Sequence, residues 1–258
     1  MIGMLLTATI SSMLIMALLV SAGTFTWVER RVLAFVQERL GPNRVGPFGF
    51  LQWVADTVKI ITKEDEVPPG ADHVAYRLAP AVAATPVLAG FGVVAFGDGL
   101  ALASIDVGVM FVLGMMGLTA YAVVLGALAS PSRFSLLGGL RAAAQMLAYE
   151  AFLGLSLLGV VMLAGSLSMN DIVRAQENVW FIVLQPLGAA LFTLGGIAAA
   201  HRTPFDLPES ENDLVGGYIT EYTGMSFGLF FLGEYLAILL VSAFAVTLFF
   251  GGWLGPWL

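Results

Sequence analysis

The sequence predicts an all-α, polytopic membrane protein with about six transmembrane helices plus cytoplasmic amphipathic helices. Of the 258 residues, 59% are hydrophobic and only 11% are charged. A helix needs roughly 20 apolar residues to cross a bilayer. Six runs are close to that length or longer: 3–27, 79–97, 107–129, 142–165, 178–200 and 223–250. The cations are also distributed unevenly between the connections, which is typical of multi-pass proteins. We expect a single integral membrane domain over residues 1–258.

The first run has no basic leader and is longer than the apolar part of a signal peptide, so we expect it to remain as a span. If the runs cross the membrane alternately, ten of the 11 Lys and Arg residues share one side, with seven in 29–78, two in 130–141 and one in 201–222. The other side has only Arg174. The positive-inside rule then predicts that the ten-cation side is cytoplasmic and that the N-terminus lies outside.

Residues 29–78 are predicted to form a cytoplasmic amphipathic segment. Gly-Pro-Asn and Val-Gly-Pro at 41–47 indicate turns. Apolar residues then recur at helical spacing beside a polar stripe that includes Asp56 and Lys59. Two interpretations stay open. In the first, the stripe faces water, with Asp56 and Lys59 as a weak pair. In the second, the stripe faces protein and lines a cavity with Arg30 and Arg39.

Two acids lie inside predicted spans. Glu150 is nine residues past Arg141, which is about 13 Å along a helix and near the middle of a core roughly 30 Å thick. Glu234 lies inside the last span. Each could be neutral and hydrogen-bonded between helices, with Tyr149 or Tyr235 as the partner. Otherwise, a carboxylate that gains and loses a proton at this depth is what a proton path requires.

The connection 201–222 is an acidic loop that carries five carboxylates: Asp206, Glu209, Glu211, Asp213 and Glu221. The spacing of the first two resembles a capping box at a helix start. On a helix, Asp206, Glu209 and Asp213 would share one face, where like charges repel and favour proton uptake. The chain has no cysteine and only two histidines, so we expect no disulfide, iron-sulfur ligand set or metal site. The net charge of −7 argues against a nucleic-acid partner.

Five segments, in order, resemble the H subunits of bacterial NADH:quinone oxidoreductase, respiratory complex I, whose mitochondrial counterpart is the first membrane subunit. They are ERRVLAFVQERLGPNRVGPFG, LQWVADTVKIITKED, LLGGLRAAAQMLAYE, RTPFDLPESENDLVGGYITEY and FGLFFLGEY. The resemblance implies a subunit of the bacterial inner membrane that binds no cofactor itself and helps to form a quinone chamber and a proton route. Partner subunits would carry the flavin and the iron-sulfur clusters of the peripheral arm, and further neighbours would lie in the membrane arm.

The resemblance also implies residue roles. The quinone chamber and its entrance would include Glu29, Arg30, Arg39, Asp56 and Lys59. The proton path would include Glu150, Asp206, Glu209, Glu211, Asp213, Glu221 and Glu234. Many relatives have Glu-Thr-Asn-Arg before Pro-Phe-Asp, whereas this chain has Ala199, Ala200, His201 and Arg202. One family carboxylate is therefore absent, and it is open whether His201 substitutes for it.

Family members usually continue past the Gly-Gly-Trp-x-Gly-Pro motif, found here at 251–256, with another pair of spans. The sequence in hand is then either part of a longer protein or a shortened member. Other functions stay open at this point. One is the membrane anchor of an energy-converting hydrogenase or of another donor:quinone oxidoreductase. The others are a standalone ion transporter, which would also use buried acids, and a purely structural anchor.

Overall fold

A computed structural model describes the backbone of residues 2–208 and 211–255, and the side chains of 8–208 and 213–255. Within these ranges the chain is helical and contains no strand. Ten α-helices follow in order: α1 (Ile2–Val36), α2 (Gln52–Thr62), α3 (His73–Phe91), α4 (Gly108–Ala129), α5 (Arg133–Ala164), α6 (Met169–Arg174), α7 (Phe181–Leu184), α8 (Pro186–Ala199), α9 (Glu211–Leu214) and α10 (Gly224–Phe249). Short 3-10 turns lie at Pro47–Gly49, Gly217–Ile219 and Gly252–Leu254.

Five helices are long and apolar enough to cross a membrane: α1, α3, α4, α5 and α10. They correspond to five of the six predicted runs, which confirms the all-helical polytopic fold. Two of the helices extend well beyond their apolar runs. The α1 helix continues through Glu29 and Arg30 to Val36, and α5 begins at Arg133. Apolar length measures the membrane core, whereas the helix itself continues until the chain meets a breaker.

The fifth predicted run, 178–200, is not one continuous helix. It is divided into α7 and α8 at Gln185, which has φ −136° and ψ 61°. Pro186 explains the break, because a proline disfavours helical conformation in the residue before it and cannot donate a backbone hydrogen bond. The same proline suits the first position of α8. The prediction of one continuous helix over this run was therefore wrong, and the run consists of two shorter apolar helices.

Small residues bring the long helices close together. A Cβ atom on Gly139 of α5 would lie 2.1 Å from the Cβ of Ala127 in α4, and one on Gly196 of α8 would lie 2.4 Å from Val241 in α10. Close backbone approach through small residues is how helices associate in lipid. The resulting bundle of α3, α4, α5, α8 and α10 buries Leu153, Phe192, Leu236, Leu240 and Phe244.

The three connections that together carry ten of the 11 cations meet at one end of this bundle. Asp65 accepts hydrogen bonds from the backbone and hydroxyl of Ser226 at 3.1 and 2.6 Å. The Tyr76 hydroxyl donates to the carbonyl of Glu221 at 2.7 Å, and Ser135 donates to the carbonyl of Tyr218 at 3.0 Å. The segments 29–78, 130–141 and 201–222 therefore form one surface, as the alternate crossing of the runs predicts. That this surface is cytoplasmic stays a prediction.

The amphipathic helix predicted after the turns is present as α2, and it lies against α1 and α10. The Trp53 ring packs directly on Gly23 of α1, since a Cβ atom added to Gly23 would lie only 2.5 Å from the ring. Ile60 packs on Gly228 of α10, where an added Cβ would lie 2.6 Å from its side chain. Val58 and Ile61 are 54% and 61% exposed. The apolar stripe of α2 thus faces outward, and part of its polar stripe faces the protein.

Candidate functional site

A charged cluster joins α1, the acidic loop and α10. The Arg202 guanidinium donates to Glu29 at 3.1 Å, and the Tyr235 hydroxyl donates to the other oxygen of the same carboxylate at 2.5 Å. Arg202 also lies 4.3 Å above the centre of the Tyr235 ring. The aromatic face and the carboxylate both stabilise a guanidinium that is largely removed from solvent. Three distant parts of the sequence thus hold one charge pair in a fixed geometry.

The predicted chamber residues do not all join this cluster. Arg30 forms an ion pair with Asp56, whose other oxygen accepts a hydrogen bond from Gln52 at 3.1 Å. Of the two interpretations left open, the weak pair of Asp56 and Lys59 is not formed, because Asp56 faces α1 and Lys59 is exposed. Arg39 is also exposed, with its Nε donating to Gln37 at 2.7 Å. The interpretation in which the polar stripe faces protein therefore holds for Gln52 and Asp56 alone.

Glu234 lies one residue before Tyr235 in α10 and points to a different environment. Its carboxylate accepts a hydrogen bond from the Tyr218 hydroxyl at 3.2 Å. Both residues line a cavity of about 40 Å³, together with His201 and Thr119. The suggestion that Tyr235 is the partner of Glu234 was wrong, because neighbouring residues on a helix point about 100° apart and Tyr235 bonds Glu29 instead.

Glu150 lies midway along α5 and lines a second cavity of about 20 Å³. Its carboxylate is pressed against α4, where a Cβ on Gly117 would lie 2.6 Å from the nearer carboxylate oxygen. Tyr149, the other suggested hydrogen-bonding residue, packs on Phe205 with ring centres 5.2 Å apart. The two cavities share four lining residues: Thr119, Met146, Ala199 and Ala237. Glu234 and Glu150 therefore face adjoining internal spaces.

The acidic loop contributes less to these cavities than the sequence suggested. Its helix α9 covers only Glu211–Leu214, and Asp206 lies in a non-helical stretch, so Asp206 and Asp213 do not share a helix face. Asp213 is exposed, and Glu221 contributes its backbone carbonyl to Tyr76. Glu209 and the side chain of Glu211 lie outside the described residues.

His201 closes the larger cavity at the end of α8. It is 7% exposed and has a φ of +51°, in the left-handed region. Burial lowers the pKa of His201 from 6.5 to about 4, so its side chain is neutral at pH 7. Gln145 fixes the chain on both sides of it, donating to the carbonyls of Ala198 at 3.0 Å and Phe205 at 2.7 Å.

The sequence was compared with protein families and with known proteins to identify its family. The sequence profile of the family described as NADH dehydrogenase matches residues 8–258. A protein of Rhodopseudomonas palustris strain BisA53, H subunit 1 of NADH-quinone oxidoreductase, is 92% identical over the whole chain and 81% of its own length. The chain belongs to the family of NADH-quinone oxidoreductase H subunits. H subunit 2 of Cereibacter sphaeroides and H subunit 1 of Geobacter metallireducens are 69% and 48% identical over 98% and 96% of this chain, and 80% and 78% of their own lengths.

As a member of this family, the chain is a multi-pass membrane subunit of an enzyme complex that oxidises NADH and reduces quinone, and other subunits of that complex are its partners. The family resemblance seen in the sequence is confirmed. Ala199, where the resemblance implies a family carboxylate, lies in the wall shared by the two cavities. The departure from the family motif therefore lies between the cavity at Glu234 and the cavity at Glu150.

Sequence reasoning did not identify several residues of the site. In the sequence, Arg202 is only one cation among 11. The residue types and spacing of Tyr218, Gln145 and Gly117 do not indicate a functional role. Their contacts join positions far apart in the chain: Arg202 lies 173 residues from Glu29. Arg202 could have been suspected, because a lone arginine beside five acids next to a membrane span requires a partner.

Proposed function

We propose that this chain forms part of the quinone chamber of a proton-translocating NADH:quinone oxidoreductase and begins a proton path from that chamber. The quinone side is the cluster of Glu29, Arg202 and Tyr235, together with the pair of Arg30 and Asp56. The path runs through Glu234 and the two cavities to Glu150. The catalytic redox groups would belong to partner subunits, with quinone as the substrate and no redox cofactor in this chain.

One observation carries the proposal: consecutive residues of α10 face the two parts. Tyr235 donates to Glu29 in the charged cluster, and Glu234 lines the cavity that adjoins the one at Glu150. A change of charge near Arg202 therefore acts on the helix segment that carries Glu234. Electrostatic coupling between groups on neighbouring residues inside a membrane is strong, because the local dielectric constant is low.

Quinone reduction supplies the charge change. Each quinone takes up two electrons and two protons to form quinol, and the electrons would come from an iron-sulfur cluster of the peripheral arm. Negative charge that develops on the quinone before protonation attracts Arg202 and weakens its hold on Glu29. The Glu29 carboxylate then gains proton affinity, because an opposite charge beside it is partly withdrawn. The cluster thereby converts a redox event into a change in proton binding.

The proposed placement follows the charge distribution. The cluster lies at the end where ten of the 11 cations are found. By the positive-inside rule this end is cytoplasmic and the N-terminus lies on the opposite side. The family resemblance implies that the membrane is the bacterial inner membrane. The peripheral arm would then dock on the surface formed by the segments 29–78, 130–141 and 201–222. No observation favours a hydrogenase anchor, a standalone transporter or a purely structural anchor.

The test replaces Glu29 by Gln in the assembled complex. We expect NADH-driven quinone reduction to fall by roughly tenfold, because a charge-assisted hydrogen-bond pair is worth about 1.5–3 kcal/mol. Electron transfer from NADH to ferricyanide, which draws electrons from the peripheral arm, should be unchanged. The matched control is Glu177→Gln, an exposed carboxylate at the opposite end of the bundle. Quinone reduction in Glu29→Gln equal to that in Glu177→Gln would exclude a role for the cluster.

A further inference from the structure

The Nε2 atom of His201 is buried, and no described protein atom forms a hydrogen bond with it. Buried polar atoms in folded proteins almost always have a partner, and internal water provides it where the protein does not. Gln145 holds the backbone on both sides of His201, and the residue is only 7% exposed, so bulk solvent does not easily reach the ring. Its ring lies 6.3 Å, centre to centre, from that of Tyr218.

The cavity beside His201 has the size and lining that internal water requires. Its volume is about 40 Å³, and each water needs roughly 10–15 Å³ measured in this way. About three or four waters therefore fit. Apart from His201, the polar lining groups are Glu234, Tyr218 and Thr119. The Thr119 hydroxyl donates to the carbonyl of Met116 at 2.6 Å, which leaves its oxygen able to accept.

The adjoining cavity at Glu150, about 20 Å³ in volume, holds one more water by the same measure. Two alanines, Ala199 and Ala237, lie in the shared wall. A small side chain at each position leaves space that a longer side chain would fill. The remaining shared residues are Thr119, which is polar, and Met146, which is flexible.

We propose that His201 is a positioning residue that holds a water against Glu234, at the head of a short water file leading past Ala199 to Glu150. In the transfer step, protonated Glu234 gives its proton to this water, and the water passes one of its own protons along the file to the Glu150 carboxylate. Glu234 becomes the anion, Glu150 becomes the acid, and the water is restored. His201 keeps its protonation state throughout. This inference rests on the proposed function, because it requires Glu234 and Glu150 to exchange protons.

The experiment compares His201→Gln with His201→Leu in the assembled complex, in sealed inner-membrane vesicles. Glutamine places an amide near the position of Nε2, whereas leucine fills the space without a polar atom. We expect His201→Leu to lower NADH-driven proton pumping by roughly tenfold and His201→Gln to stay within about twofold of wild type. Ferricyanide reduction activity that remains bound to the vesicles reports that the peripheral arm stays attached to the membrane arm in each variant. Equal pumping by the two variants, whether both are normal or both are impaired, would overturn the inference.

A second measurement does not depend on the variants. A structure of the wild-type complex that resolves internal waters should show one within hydrogen-bonding distance of both His201 Nε2 and the Glu234 carboxylate. Ordered waters elsewhere in the bundle with none at this position would refute the water site. The proposed function fails separately: if Glu234→Gln and Glu150→Gln both pump normally, the proton path is wrong, even where the water at His201 is observed.

Discussion

Replacement of Gly117 by alanine tests whether the position of Glu150 matters. The added Cβ would lie 2.6 Å from one carboxylate oxygen of Glu150 and 3.2 Å from the other. Ordinary contact between a methyl group and an oxygen requires about 3.3 Å, so the carboxylate must move by roughly 0.7 Å. The end of a flexible side chain can shift by this amount at little cost in stability, and alanine itself favours a helix over glycine by about 1 kcal/mol. The variant should therefore fold with its carboxylate displaced.

A displacement of this size matters for proton transfer, because misplacing a reacting group by about 1 Å can cost as much as 100-fold in rate. We expect proton pumping by Gly117→Ala to fall at least about tenfold, with ferricyanide reduction unchanged. The assay is NADH-driven acidification of sealed inner-membrane vesicles.

Gly114→Ala is the matched control, since it lies in the same helix, gains the same helix propensity and has no atom within 4 Å of the added Cβ. This control should pump like the wild type. Normal pumping by Gly117→Ala would refute the reasoning that the carboxylate must sit where Gly117 allows it.

Three further predictions concern stability and the charged cluster. Gln176 bonds the backbone of Ile172, Phe181, Thr247 and Gly251. Gln176→Ala should therefore lower the free energy of unfolding by about 3 kcal/mol, measured by thermal unfolding in detergent, whereas exposed Glu177→Ala should not change it. Burial lowers the pKa of His201 from 6.5 to about 4, so the folded state favours the neutral side chain. The contribution of neutral His201 to the free energy of unfolding is therefore complete above pH 6.5 and is lost as the pH falls towards 4. Between pH 7.5 and 5 the wild type should lose about 2 kcal/mol more than His201→Gln, and parallel pH profiles would contradict this. Tyr235→Phe removes the hydroxyl that bonds Glu29 but keeps the ring beneath Arg202, so quinone reduction should fall by roughly tenfold without loss of assembly, and an unchanged rate would exclude this bond from the mechanism.

The sequence was sufficient for the parts of the fold that depend on local chemistry. Five apolar runs predicted five spanning helices, and the turns at 41–47 followed by a polar stripe predicted α2. The prediction failed at 178–200, where hydropathy outweighed the local effect of Pro186. Apolar composition says that a segment prefers lipid, but it does not say that the backbone is continuous.

The site could be predicted only in part, because its geometry depends on contacts between distant segments. Glu150 and Glu234 were identifiable, since ionisable residues inside apolar runs are costly and rare. The hydrogen bond between Tyr235 and Glu29 spans 206 residues of sequence, and no local pattern indicates it. Lys59 belongs to the same predicted polar stripe as Asp56. In the structure Asp56 faces Arg30, whereas Lys59, about one helical turn further along α2, is exposed.

The most direct test of a proton path through Glu150 is the proton pumping of Glu150→Gln. It is measured as protons translocated per quinone reduced in sealed inner-membrane vesicles. Glutamine keeps the size and hydrogen-bonding capacity of the side chain but cannot carry the proton. We expect pumping to be lost and quinone reduction to slow, while ferricyanide reduction stays at the wild-type rate. A variant that translocates the wild-type number of protons per quinone would contradict the claim that the path from the quinone chamber runs through Glu150.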